Sequence, residues 1–162
     1  MFRFKKIILS SVIALSALTL AACSSNSEDS GSVRVGIIQY AEHEALTSAR
    51  EGFIEALEDE GYKEGENLTI DLQNSQGDQA NLQTMVGQLA GRNDLNCAIA
   101  TPAAQALLNA DGETPSVFTA VTDPVEAGLV VSLDAPGGSM TGSTDATDVE
   151  GQIDMLLKVV PS

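Results

Sequence analysis

The sequence predicts an α/β domain built on a doubly wound parallel sheet. Short apolar runs rich in β-branched residues alternate with longer stretches in which apolar residues recur at helical spacing. The first run covers residues 33–38, and the first helical stretch follows at residues 45–60. Such alternation is typical of βαβ units, whose right-handed crossovers place helices on both faces of a Rossmann-like sheet.

The remaining predicted strands and helices alternate in the same way. Three further strands are predicted at residues 68–72, 95–100 and 115–120, the first of them with alternating apolar residues, and a short fifth strand at Val130 and Val131. Asp78 is a candidate N-cap for a second helix, which Gly91 ends. Two more helices are predicted at residues 102–110 and 149–159.

The first 23 residues carry the parts of an export signal. Arg3, Lys5 and Lys6 precede an apolar stretch over residues 7–20, and small residues lead to Cys23. The sequence Leu-Ala-Ala-Cys at residues 20–23 resembles the lipobox of bacterial lipoproteins. The resemblance implies that residues 1–22 are removed as a signal peptide and that Cys23 receives diacylglycerol. The alternative is an ordinary cysteine in a signal or membrane helix, but the apolar stretch is short for a span of about 20 residues.

The polar segment that follows predicts a domain division. Residues 24–32 contain no apolar side chain and are expected to form a flexible tether. We therefore expect lipidated Cys23 and its tether over 23–32, one folded lobe over 33–148, and a helix over 149–162. The expected location is the extracytoplasmic side of the cell membrane, with the protein held by its lipid.

The charge balance excludes several partners. The chain has a net charge of −15, with 8 basic and 23 acidic residues. Three basic residues and no acidic ones lie in the predicted signal, so its removal makes the charge −18. Such a surface repels nucleic acid and anionic lipid headgroups, so no nucleic-acid partner is expected.

The sequence offers no framework for a cofactor or a metal. It lacks the glycine-rich dinucleotide fingerprint and the phosphate loop, and its two cysteines have no zinc spacing. Cys97 lies in an apolar run, where a small buried hydrophobic side chain is the expected role. A reactive thiol is the alternative. We expect neither a cofactor nor a metal.

Three loops are the candidate ligand site. In a doubly wound sheet a ligand lies beyond the carboxyl ends of the strands, which selects residues 39–44, 101–105 and 122–124. The free N–H groups at the start of a helix suit a carboxylate, so Thr101, with Ala103 and Ala104 allowing close approach, predicts a carboxylate site. Simple capping by Thr101 is the alternative.

Other candidates surround this point. Asp123 is a candidate partner for a ligand ammonium group, and Asp145 is a second; each has an ordinary turn residue as its alternative. Thr122 and Thr144, beside these two carboxylates, are included in the candidate site. Gln39 and Tyr40 lie at the mouth of the first strand, where Tyr40 is suited to stack on an aromatic ligand.

Several motifs in the same order resemble one known family. They read VGIIQ (35–39), EH (42–43), AREGF (49–53), GY (61–62), AIATPAAQ (98–105), VFTAVTDP (117–124), PGG (136–138) and TG (141–142). These motifs are similar to those of the substrate-binding lipoproteins of ATP-binding cassette importers, in the branch associated with tryptophan or tyrosine. The resemblance implies a type I periplasmic-binding-protein-like fold and places the loop of His43, the chain's one histidine, at the wall of the pocket.

The resemblance also implies a function and partners. We expect a binder that performs no chemistry, takes a small solute such as an amino acid, and passes it to a permease with its ATPase. Family members have two lobes, and this chain resembles the first alone, with residues 149–162 leading toward a second. The chain departs from the family pattern at Asn96-Cys97, where aliphatic residues are usual, and at Ser139, where asparagine is common.

Two other functions remain open on the sequence. A surface interaction lipoprotein without a small ligand needs no cleft. An enzyme on a flavodoxin-like scaffold needs a nucleophile–base pair or a phosphate loop, and neither is visible.

Overall fold

The computed structural model describes residues 32–160. The predicted signal peptide, Cys23 and all of the predicted tether except Ser32 lie outside the described residues.

Five parallel strands and four helices form the described lobe. The strands are β1 (Val33–Gln39), β2 (Leu68–Asn74), β3 (Leu95–Ile99), β4 (Ser116–Val121) and β5 (Met140–Thr144). The helices are α1 (Glu44–Asp59), α2 (Gln79–Leu89), α3 (Thr101–Ala110) and α4 (Val149–Val159). The strand order is β2-β1-β3-β4-β5, and every pairing is parallel. The predicted α/β class and doubly wound sheet are confirmed.

The central strands β1 and β3 are buried on both faces, as continuous apolar strands require. On one face, Val35, Ile37 and Ile99 pack beneath the apolar stripe of α1. On the other face, Ile38 and Ala98 pack with the inward sides of α2 and α3. Each fully buried aliphatic side chain contributes about 2 kcal/mol to folding, so these two layers hold the sheet edge in place.

Side-chain caps begin α1 and α2. His43 Nδ1 accepts a hydrogen bond from the Ala45 N–H at 3.2 Å, and Asp78 Oδ1 accepts one from the Asn81 N–H at 2.8 Å. The predicted cap at Asp78 is confirmed. Because each cap satisfies an N–H group that the helix itself leaves free, both fix where the preceding loop must end.

The predicted fifth strand was wrong in position. Val130 and Val131 lie in a turn region, with their N–H groups bonded to the carbonyl oxygens of Pro124 and Pro136. Val130 is nevertheless buried in the core, which explains its apolar character. The fifth strand is instead β5, whose backbone pairs with β4.

An amide pair of buried Asn96 and half-buried Asn93 explains Asn96, which stands where aliphatic residues are usual in the resembling family. Asn96 lies on β3 directly beside Gly36 of β1, and its Oδ1 accepts a hydrogen bond of 3.0 Å from Asn93 Nδ2. Asn93 Nδ2 also bonds the Leu89 carbonyl oxygen, whereas Asn96 Nδ2 is buried without a partner. An added Cβ at Gly36 would lie closer than 3.0 Å to both amide side chains, so the missing side chain makes room for them.

Asp111 ties the end of α3 to the turn after α2. Its Oδ2 accepts a hydrogen bond of 2.8 Å from the Gly91 N–H, and its Oδ1 accepts bonds from the N–H groups of Glu113 and Thr114. Partial burial opposes ionisation, but the hydrogen bonds from the Thr114 side chain and these backbone groups outweigh it and lower the pKa of Asp111 to about 2.

Asp111→Asn is expected to cost about 1 kcal/mol at pH 7, after allowance for solvent screening. Because the folded-state pKa lies below the unfolded one, this stabilisation is complete above about pH 4 and is lost as the pH falls to about 2. Urea denaturation at several pH values measures it. Asp134→Asn, which removes a carboxylate from an exposed loop, is the control. An Asp111→Asn deficit that is equal at pH 7 and pH 2 would contradict the assignment.

The last helix carries an exposed apolar surface. Every residue of α4 is exposed, including Ile153, Leu156 and Leu157 at 52–64% of their full accessibility. Asp148 caps the helix by accepting a bond from the Gly151 N–H at 2.9 Å. An isolated helix of this length is marginal in water, and no residue of α4 is buried against the described lobe.

Candidate functional site

The carboxyl ends of β1 and β3 lie side by side, which is where a doubly wound sheet has its ligand crevice. Gln39 pairs with Ile99 at this edge, and the Tyr40 N–H donates to the Ile99 carbonyl oxygen at 3.2 Å. The chain order reverses at β1, because β2 lies on one side of it and β3 on the other. Ligands of doubly wound sheets bind at this topological switch point, between the loops after β1 and β3.

The start of α3 faces this edge without a side-chain cap. Thr101 is the first helical residue, Pro102 follows, and Ala100 at the N-cap position supplies no side-chain hydrogen bond. The first-turn N–H groups of a helix have no intrahelical partner, and the helix dipole makes this end positive. Thr101 is half-buried, whereas the side chains of Ala103 and Ala104 are fully buried in the core. The turn can therefore offer backbone N–H groups to an anionic group.

Backbone strain clusters at the same edge. In the described part of the chain, the three non-glycine residues with positive φ are Gln76, Ala100 and Ala120. They lie after β2, after β3 and near the end of β4. Ala100 is the most unusual, with φ 84° and ψ 151°, a region that only glycine adopts at low cost. Strain of this kind concentrates where a structure must hold a particular loop geometry.

Gln39 lies at the crevice, but its side chain is fully hydrogen-bonded within the protein. It is fully buried, and its amide bonds the Ala41 carbonyl oxygen, the Thr47 hydroxyl and the Arg50 guanidinium. Tyr40 is half-buried against the core, and its hydroxyl donates to the Gly77 carbonyl oxygen at 3.2 Å. The ring of Tyr40 is therefore held in place at the edge.

His43 is exposed at the end of the same loop. Its Nδ1 serves as the cap of α1, which is a structural role. The capping bond fixes the imidazole ring at the rim of the crevice and leaves Nε2 directed away from the cap.

Asp123 serves as a turn residue. Its Oδ1 accepts hydrogen bonds from the N–H groups of Val125 and Glu126, at 3.0 and 2.9 Å. The side chain is exposed, as is that of Thr122. The role of an ordinary turn residue was the alternative drawn from the sequence for Asp123. Both bonds use Oδ1, so neither involves the second carboxylate oxygen.

Asp145 lies beside the end of β4. Its N–H donates to the Val121 carbonyl oxygen at 3.1 Å, which brings it next to the Thr122–Asp123 turn along the edge of the sheet. Asp145 and Thr144 are both exposed. The structure therefore brings all the predicted loops to one edge, although their side chains differ in exposure.

Cys97 lies in the core, as expected for a small hydrophobic side chain. It is buried on β3 beneath α1, and burial raises the pKa of its thiol to about 12. A neutral, inaccessible thiol is not nucleophilic. Between residues 32 and 160, no group of three or more histidine, cysteine, aspartate or glutamate side chains is placed to hold a metal ion.

Two further features were not predicted from the sequence. A polar groove of about 340 Å³ runs between α2 and α3, and its lining includes Gln79, Gln83, Gln105 and Asn109. Sequence reasoning also missed the polar contacts of Glu42, Thr47, Arg50 and Asn74 around Gln39. Their signal was present in part, because two of the motifs that carry the family resemblance contain Glu42 and Arg50.

The fold and its edge site define a class of binding proteins, and sequence comparison identifies the family. The sequence profile of the ABC transporter substrate binding proteins matches residues 34–162. The chain belongs to this family, whose members bind solutes and are not enzymes. Of the helices described between residues 32 and 160, none has the length and apolar character needed to cross a membrane.

Individual relatives support this assignment. A tyrosine-binding protein of Clostridioides difficile (strain R20291) is 40% identical over an alignment of 176 residues. The alignment covers 99% of this chain and 50% of the relative. This chain thus spans about half the length of the curated relative that it matches.

Solved structures give the same picture. A substrate-binding protein with adhesive properties from Clostridium difficile, in a ligand-free open state, is 44% identical with a TM-score of 0.74; the match covers 78% of this chain and 43% of that one. A conserved domain protein of Vibrio cholerae is 40% identical with a TM-score of 0.77, covering 81% and 45%. An ABC domain of Streptococcus pneumoniae in complex with L-Trp is 38% identical with a TM-score of 0.74, covering 78% and 43%.

Proposed function

We propose that the described lobe forms one wall of the solute site of an ABC importer and that its solute is an aromatic amino acid. The observation that carries this proposal is the start of α3, which lies uncapped at the switch-point crevice. An amino-acid carboxylate suits the N–H groups and positive dipole there. The tyrosine-binding relative and the L-Trp complex support this solute class.

The other candidate residues have complementary roles in this proposal. The Thr101 hydroxyl adds a hydrogen bond to the carboxylate. Ala103 and Ala104 bury their side chains in the core, so neither side chain covers the backbone N–H groups of this turn. The free carboxylate oxygen of Asp123, with Asp145 beside it, attracts the solute's ammonium group.

Aromatic and polar side chains complete the wall. The ring of Tyr40 and the imidazole of His43 border the solute's side chain, since both are held at the rim. Thr122 and Thr144 offer exposed hydroxyls along the same edge. Gln39 contributes by holding its loop, because its own amide is buried.

The lobe alone is expected to bind weakly. In the proposed mechanism two lobes close over the solute, and the permease with its ATPase responds to the closed form. Titration calorimetry with tryptophan, tyrosine and phenylalanine should give no binding in the micromolar range or tighter. A micromolar or tighter dissociation constant would contradict the half-site proposal.

Nuclear magnetic resonance can detect the weak contact itself. At millimolar L-tryptophan, the amide signals of Thr101 and Ala103 should shift. Tryptamine, which has the same ring and ammonium group but no carboxylate, is the matched control and should leave them in place. Equal shifts with both compounds, or shifts confined to other regions, would overturn the carboxylate site.

We also propose that Cys23 is acylated and holds the lobe on the extracytoplasmic face of the membrane. The lipobox resemblance and the family support this. Expression in a bacterium fed a labelled fatty acid should yield a labelled protein in the membrane fraction. Cys23→Ala should abolish the label and Cys97→Ala should retain it; label that persists in Cys23→Ala would refute the anchor.

A surface interaction protein without a small ligand is a less favoured function. One Clostridium difficile neighbour is described as having adhesive properties, but it is also described as a substrate-binding protein. An enzymatic role on this scaffold is not supported, because the family consists of binding proteins.

A further inference from the structure

Five polar side chains connect the loop after β1 to α1 and to the end of β2. We call them the loop network: Gln39, Glu42, Thr47, Arg50 and Asn74. They surround residues 40–43, the segment that carries Tyr40 and His43 at the rim of the crevice.

Gln39 is the centre of the loop network. Its Nε2 donates to the Ala41 carbonyl oxygen at 2.8 Å and to Thr47 Oγ1 at 3.3 Å, and its Oε1 accepts from Arg50 Nη1 at 3.0 Å. A guanidinium cannot accept a hydrogen bond, and a carbonyl oxygen cannot donate one. Only one orientation of the Gln39 amide therefore satisfies both neighbours, and Arg50 selects that orientation.

Glu42 extends the loop network to the neighbouring strand. Its Oε1 accepts from the Thr47 hydroxyl at 3.1 Å, and its Oε2 accepts from Asn74 Nδ2 at 2.7 Å. Both carboxylate oxygens are thus occupied by donors from α1 and from the end of β2. The loop is held from its start by Gln39 and from its middle by Glu42.

We propose that Arg50 is a positioning residue that sets the conformation of the rim loop in advance of solute binding. Its side chain is only 17% exposed and reaches the rim loop through the buried Gln39 amide. Holding a loop in its binding geometry beforehand removes the entropic cost of ordering it later. The value of this for solute capture rests on the proposed function, but the loop's rigidity does not.

Backbone order parameters from ¹⁵N relaxation, measured without any solute, test the proposal. In the natural protein, residues 40–43 should be as rigid as the sheet, with values of about 0.85. Arg50→Met and Gln39→Glu should each lower them below about 0.6 while β1 and β3 keep their values. Arg50→Lys, which retains a donor and the charge, should keep the loop largely rigid.

Gln39→Glu separates two roles of the Arg50 contact: orienting the Gln39 amide so that it holds the loop, and merely attaching α1 to β1. A carboxylate strengthens the contact with Arg50 but cannot donate to Ala41 or Thr47. Arg92→Met removes an exposed arginine elsewhere and is the control for charge.

The outcomes decide whether Arg50 positions the rim loop. A rigid loop in either Arg50→Met or Gln39→Glu, a loop already mobile in the natural protein, or equal loosening of β1 and β3 would overturn the proposal. If Arg50→Met does not fold, Gln39→Glu alone decides the question. A failure of solute binding would leave this result unaffected, because no solute is present.

Discussion

Replacing Gly36 by alanine is expected to lower the free energy of unfolding by about 2 kcal/mol, the cost of overpacking a filled core. The new Cβ would collide with the amides of Asn93 and Asn96, which bond each other at 3.0 Å. Moving either amide breaks that bond and leaves buried polar groups without partners, which adds to the loss. Urea denaturation followed by circular dichroism measures the change.

A double-mutant cycle identifies the cause. Asn96→Ala removes one colliding side chain and frees Asn93 to rotate, so Gly36→Ala should cost at least about 1 kcal/mol less in that background. Gly52→Ala is the control, because Gly52 lies in α1 with open space around it and alanine favours a helix. The control should gain stability. Strictly additive costs for Gly36→Ala and Asn96→Ala would rule out the steric explanation.

Elements that carry a continuous apolar run or an apolar stripe at helical spacing could be predicted from the sequence. β1 is nearly continuous in buried residues, and α4 begins and ends where its helical spacing predicts. β5 could not be predicted, because only Met140 of its five residues is buried and its structure comes from pairing with β4. Strand formation at such an edge depends on the neighbouring strand more than on local preference.

The candidate site was predicted at the level of loops rather than side chains. The rule for doubly wound sheets selected the loops after β1 and β3, and these border the crevice. It did not indicate that Gln39 is fully buried or that Arg50 bonds it across eleven positions. Such contacts depend on how α1 lies on the sheet, which local sequence spacing does not determine.

Ala100→Gly should raise the free energy of unfolding by about 1 kcal/mol. At φ 84° and ψ 151°, Ala100 carries strain of about 1–3 kcal/mol. Glycine removes this strain. Its greater freedom in the unfolded chain lowers the stability by about 0.5–1 kcal/mol, which offsets part of the gain. Urea denaturation again measures the difference, with Ala56→Gly in the exposed part of α1 as a control that should lose stability.

The strain at Ala100 is maintained by bonds on both sides of the residue. Its N–H donates to the Thr119 carbonyl oxygen at 3.0 Å, and its own carbonyl oxygen accepts from the Ala104 N–H at 3.1 Å. These bonds join the end of β3 to β4 and to the first turn of α3, so the unfavourable conformation is the one that directs the turn toward the crevice. A loss of stability in Ala100→Gly would show that the backbone there is relaxed. A gain would indicate that stability is given up to hold the proposed carboxylate site in position.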